Sequence, residues 1–255
     1  MKTQSRIRNM TVVILISLLL ISCGRAQRQR LALAYVIDMT ASVDTDSITQ
    51  AFAAIQPLLS SKTLKRGDSI TIIPITADTL AESQGKILRI HLNENREVYD
   101  SDLVNMIKDV EDKLKRMQAE VAVNPYQHSD ILGAADLAAE ELAAEKGNVR
   151  KVILILSDFI QDDSNFNFNS SSEMANDRTA VDLAKKISTT HAGKFAGATL
   201  YLGMLRSKDL KKMSNARRDA VQAFWREYFK SGGAGMVSLA IDGPGKVATI
   251  VARAE

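Results

Sequence analysis

Apolar positions along this chain follow two rhythms in turn. Residues 31–37 (LALAYVI), 69–76 (SITIIPIT), 152–156 (VILIL), 198–204 and 236–241 are short and largely apolar. That is the pattern of strands buried on both faces, as in a parallel sheet. Between them apolar residues recur at threes and fours: Ile48, Phe52, Ile55 and Leu59, then Leu103, Ile107, Val110, Leu114, Met117 and Val121. Ile131, Leu132, Ala135 and Ala138 continue it, followed by residues 180–190 and a helix around 209–230 that buries Val221, Phe224, Trp225 and Tyr228. Asp46 or Ser47 is the expected cap of the first helix, Ser129 a natural cap of the third, and Gly232 the end of the last.

Residues 87–92 alternate, with Leu88, Ile90 and Leu92 on one face and Arg89 and His91 on the other. This reads as a half-exposed edge strand, and with no helix before it the strand runs antiparallel. Pro74 inside the second strand lacks an N–H and marks an irregularity or an edge position. Strands alternating with helices predict an α/β fold: a doubly wound, mostly parallel open sheet with one antiparallel edge strand and helices on both faces. Residues 161–172 (QDDSNFNFNSSS) are polar and read as an irregular loop.

The first residues have a different character. Lys2, Arg6 and Arg8 precede the apolar run 11–22, which is short for a membrane span and fits a signal segment. The run ends at Leu20-Ile21-Ser22-Cys23, with Cys23 the only cysteine. This resembles a bacterial lipobox, which implies cleavage before Cys23 and lipidation of its thiol and amino group. Each buried methylene then contributes about 0.8 kcal/mol to anchoring. An ordinary signal with a stray cysteine, or an uncleaved anchor, are the alternatives. The organisation predicted is 1–22 signal peptide, 23–30 lipidated cysteine and linker, and 31–255 one domain. Gly24 in place of aspartate favours, by analogy, the outer over the inner membrane of a cell envelope.

Charge changes the picture little. The chain holds 33 Lys and Arg against 30 Asp and Glu, and loss of Lys2, Arg6 and Arg8 with a signal peptide makes the two equal. No basic field argues for nucleic acid. Arg25, Arg28 and Arg30 cluster beside the anchor, as a solvated linker or a contact to anionic headgroups.

The candidate chemistry is at strand ends. Asp38, Thr40 and Ser42 follow the first strand on alternate positions, Ser129 precedes a helix, and Asp158 ends the most apolar strand. Ligands of such sheets collect outside the carboxyl ends of the strands. Five hard oxygen donors, with no thiol or histidine among them, suit Mg²⁺, with Mn²⁺ or Ca²⁺ also possible. These residue types also cap helices and turns routinely, and that reading stays open.

The order of elements and these loops resemble a von Willebrand factor type A domain with a metal-ion-dependent adhesion site. Asp38 matches the leading aspartate of the family's Asp-x-Ser-x-Ser, Thr40 and Ser42 its serines, Ser129 the threonine of the second loop, and Asp158 the aspartate of the third. Thr40 and Ser129 depart from the pattern but keep the hydroxyl. Phe159 stands where the family has glycine, so an altered third-loop backbone is expected. The resemblance implies a cation with an open position, filled by an Asp or Glu of a protein partner, with Phe159, Phe166 and Phe168 offering apolar contacts around it.

Other candidates are weaker. Asp44 with Asp46, and Asp162 with Asp163, have the character of caps and solvated turns. His91, His128 and His191 lack zinc spacing. Gly243-Pro244-Gly245-Lys246 is no phosphate loop, and no G-x-S-x-G is present. A haloacid-dehalogenase-like phosphohydrolase needs a second aspartate where Thr40 stands, and a hydroxyl does not do that acid–base work. A metal-independent scaffold with a vestigial site is the other alternative to a non-enzymatic metal-dependent binder.

Overall fold

The computed structural model describes residues 29–59, 64–82, 85–92 and 100–240. The signal segment, Cys23, Arg25, Arg28 and residues 241–255 lie outside these. Six strands form one sheet: β1 (Arg30–Asp38), β2 (Ser69–Ile75), β3 (Leu88–His91), β4 (Val149–Ser157), β5 (Ala198–Met204) and β6 (Met236–Ala240). Their order is β3-β2-β1-β4-β5-β6, and only β3 is antiparallel. The doubly wound sheet expected from the sequence is present. Its helices are α1 (Thr45–Ile55), α2 (Thr79–Glu82), α3 (Asp100–Val123), α4 (Ile131–Ala143), α5 (Asp177–Ser188), α6 (Lys208–Lys212) and α7 (Asn215–Ser231). Among the described residues no helix is long and apolar enough to cross a membrane.

Period-two alternation divides the core. Ala32, Ala34 and Val36 of β1 face one layer with α4, α5 and α7, whereas Leu33, Tyr35 and Ile37 face the other with α1 and α3. Alanines on β1 meet Ala134, Ala135 and Ala138 of α4, so backbone approaches backbone closely and α4 starts tight against the strand ends. Pro74 is tolerated because the ladder to β3 stops at Ile72–Leu88. The strand is central by order and an edge at that residue.

Three local expectations are corrected. The first helix begins after Asp44, whose side chain makes no capping bond. Asp46 is in its first turn, where it favours the helix dipole. The third helix is capped by Asp130, not Ser129: Asp130 Oδ1 accepts from the Gly133 amide at 2.8 Å. Its Oδ2 accepts from the Thr79 amide at 3.1 Å. A Cβ at position 133 would fall on that carboxylate. The last long helix is broken at Met213, and a new one starts with Ser214 Oγ accepting from the Arg217 amide at 3.3 Å.

Candidate metal centre

The chain turns back on itself between β1 and β4. β2 and β3 lie to one side of this pair, β5 and β6 to the other. Such a switch point leaves a crevice at the carboxyl ends, and Ile37 pairs with Leu156 there. Asp38 and the Ser157-Asp158 turn are therefore neighbours by register.

Both carboxylates are fully buried. Asp38 Oδ1 accepts from the Thr40 amide at 3.0 Å and from Thr40 Oγ1 at 2.7 Å. Its Oδ2 accepts from Ser157 Oγ at 2.6 Å. Asp158 Oδ1 accepts from the Ile160 amide at 3.0 Å, and Oδ2 from Ser42 Oγ at 3.0 Å. Ser42 Oγ stands 3.2 Å from Thr40 Oγ1, and Ser129 Oγ donates to Thr40 Oγ1 at 3.0 Å. Asp38, Thr40, Ser42, Ser129 and Asp158 thus form one hydrogen-bonded cluster drawn from three loops. Ser129 is held by paired amide bonds with Asp162, at 2.9 and 3.0 Å. Since Asp130 is the cap, the Ser129 hydroxyl is free for the cluster.

Burial pushes the Asp38 carboxyl up from its ordinary range. Burial, then the neighbouring Asp38, push Asp158 up to about 7. Neither has a lysine or arginine partner among the described residues. Two buried acids without a basic partner call for protons or a cation. The donor set is all oxygen, with the Thr40 and Ser42 hydroxyls donating to the two carboxylates and the Ser129 hydroxyl to Thr40. These residues fit a hard divalent cation. Among the described residues no three His, Cys, Asp or Glu are placed to hold a metal ion together, so the site is hydroxyl-rich and unlike a zinc centre.

Two residues escaped the sequence reading. Ser157 links Asp38 to the third loop, because its Oγ also accepts from the Phe159 amide at 2.8 Å. A hydroxyl closing an apolar strand was a signal, since a buried hydroxyl needs a partner. Ser207 is fully buried and hydrogen-bonds Asp158, while its Oγ accepts from the Leu210 amide at 3.0 Å. Its position depends on the β4–β5 pairing, which no local pattern announces.

The apolar rim is corrected. Phe159 and Phe168 are buried in the core beside Trp225 and present no surface to a partner. Phe166 is half-buried and lines a cleft of about 830 Å³ together with His128 and Asp163. Phe159 has φ +62°. It keeps the left-handed backbone that favours glycine, so the expected change of the third loop is absorbed as strain instead. Trp225 Nε1 donates to its carbonyl at 2.8 Å.

The remaining acids serve the turns. Asp44 pairs with Lys211 at 2.7 Å. Asp162 meets His128 Nδ1 at 3.1 Å and Asn167 at 2.7 Å. Asp163 accepts from the amides of Asn165 and Phe166. His91 lies 3.9 Å from Glu145, and His191 lies 2.9 Å from Asp136 without hydrogen-bond alignment.

No protein-family model and no curated protein matches the chain. Solved structures do. The open form of the pilus adhesin SpaC from Lactobacillus rhamnosus GG superposes with a TM-score of 0.50 at 9% identity, over 90% of this chain and 30% of that one. A von Willebrand factor type A protein from Catenulispora acidiphila gives 0.42 at 15% identity, over 88% and 41%. The manganese-loaded TRAP protein of Plasmodium vivax gives 0.45 at 10% identity, over 88% and 72%. The fold is von Willebrand factor type A-like. At these identities the likeness is one of architecture, and the case for chemistry in this vWA-like domain rests on its own side chains.

Proposed function

We propose that this chain is a cell-envelope lipoprotein, anchored through Cys23, whose vWA-like domain binds a protein partner through a divalent cation and catalyses no reaction. One observation carries the reading: oxygens from three separated loops converge on two buried carboxylates that no basic side chain among the described residues neutralises. Thr40, Ser42 and Ser129 would hold the ion through their hydroxyls, and Asp38 and Asp158 would accept hydrogen bonds from Thr40 and Ser42 and supply the charge. Mg²⁺ or Mn²⁺ so bound offers an open position to an Asp or Glu of the partner. The manganese named with TRAP and the adhesin named with SpaC are consistent with this use of the fold.

Calorimetry with Mg²⁺ and Mn²⁺ on the chain after Cys23 tests it. Binding is expected for the wild type and its loss for Asp38→Ala, together with loss of the partners captured from membranes. Silence of both cations, with the same partners retained by Asp38→Ala, would sink the reading.

A second reading is a metal-independent scaffold. It is favoured by the closed hydrogen bonding of the cluster, in which every hydroxyl already has an acceptor. Metal-independent capture of one partner by wild type and Asp38→Ala alike would establish it.

A further inference from the structure

Beside the candidate metal centre stand two cations that the fold does not use. Residues 42–44 and 206–208 run antiparallel: Val43 bridges Ser207, the Asp44 amide donates to the Arg206 carbonyl at 2.9 Å, and the Lys208 amide donates to the Ser42 carbonyl at 3.1 Å. Extended backbone alternates its side chains. Leu205 and Ser207 are buried, whereas Arg206 and Lys208 are exposed. The geometry that sends the Ser207 hydroxyl to Asp158 thus sets two positive charges at the edge of the first loop. Among the described residues neither has an ion pair or a side-chain hydrogen bond. Lys211 differs, being engaged with Asp44.

Both line a cavity of about 490 Å³ whose wall includes Thr40 and whose apolar lining includes Val43, Ile48 and Val121. Two acids also line it. Asp44 is neutralised by Lys211, and Asp46 is exposed in the first turn of α1. The cavity borders the cation site at Thr40.

We infer that this cavity is the second half of the partner site, and that it takes an acidic side chain lying next to the carboxylate held at the cation. The partner is a protein segment with paired Asp or Glu residues and an adjacent apolar side chain for the Val43–Ile48 wall. The inference deepens the metal-binding reading and rests on it. A membrane surface fits less well, because headgroups need an exposed basic plane, whereas these cations border a hollow with apolar walls.

The test uses the full chain in detergent, loaded with Mn²⁺, and a display library of random linear peptides. Selection on the wild type is compared with selection on Arg206→Glu/Lys208→Glu, with Arg206→Gln/Lys208→Gln as the variant less prone to disturb folding. The wild type is expected to enrich peptides with paired acids. A synthesised winner should bind either variant at least about tenfold more weakly and lose part of its salt dependence, while calorimetric Mn²⁺ affinity stays unchanged. The inference is overturned if no acidic peptide is enriched, or if the winners bind the variants equally. It is also overturned if the variants lose only binding to phosphatidylglycerol vesicles. Should wild type take no Mn²⁺, the metal reading fails and the inference with it, whereas Mn²⁺ binding without enrichment of acidic peptides overturns the inference alone.

Discussion

Two clusters meet at residue 159, and they are built on opposite terms. On one side six polar side chains, the buried Asp38, Thr40, Ser129, Ser157 and Asp158 and the half-buried Ser42, satisfy one another. On the other, Phe168, Phe195, Phe224, Trp225, Tyr228 and Phe229 pack mostly edge to face, with Phe168–Phe224 centroids 4.7 Å apart and Phe195–Phe229 5.1 Å apart, and stack at Phe224–Tyr228 and Trp225–Phe229. Aromatic pairs contribute about 0.5–1.5 kcal/mol each beyond their burial. Buried carboxylates work against stability unless paired. Phe159 belongs to both: its amide donates to Ser157, its carbonyl accepts from Trp225, and its ring lies 6.0 Å from the indole. The lesson is a division of labour, in which the aromatic group stabilises a fold that the polar group strains.

Three experiments would break or sharpen this contrast. The largest effect is expected from Trp225→Ala, which empties the centre of the aromatic group and removes the bond to the Phe159 carbonyl. A loss of about 4 kcal/mol in urea unfolding is expected. A loss near zero would show that the aromatic side does not carry the fold.

Next comes pH. Asp158 rises from 3.8 to about 7 on folding, so between those values the folded chain binds more protons than the unfolded one. Its contribution is fully present below about pH 4 and is lost as pH rises through 7. In cation-free buffer, Asp158→Asn should therefore gain on wild type between pH 4 and 7, by an amount on the order of a few kcal/mol. Saturating Mn²⁺ should restore about 2.7 kcal/mol to wild type at a hundredfold excess over Kd, and nothing to Asp158→Asn. Equal pH profiles in denaturant titrations would refute the strained-acid account.

The smallest effect separates backbone from side chain at the junction. Phe159→Ala and Phe159→Gly both lose the ring, but only glycine relieves the positive φ. Glycine should be the more stable of the two by about 1 kcal/mol. The opposite order, measured by thermal unfolding, would mean that the turn holds no strain.

Much of the architecture was legible because it is periodic. Residues 31–37 and 152–156 read as buried parallel strands since both their faces are apolar, and residues 87–92 as an edge since one face is not. The five oxygen donors were legible as types at strand ends. What escaped depends on contacts distant in sequence. Ser207 reaches Asp158 only through sheet pairing, and Asp130 takes over the cap from Ser129 because α2 delivers the Thr79 amide to it. Phe168 within a polar stretch, and Phe159 just before it, read as rim residues offered to a partner, but the approach of α7 encloses them.

Gly133 follows from the same turn. Elsewhere on a helix, alanine is the kinder residue and glycine the burden. Here a single methyl would evict the carboxylate that holds the helix start, and with it the loop presenting Ser129. In a saturation library, position 133 should sort with Asp38 and Asp158 rather than with its alanine neighbours, so an unremarkable glycine would mark the route by which drift most readily disables the site.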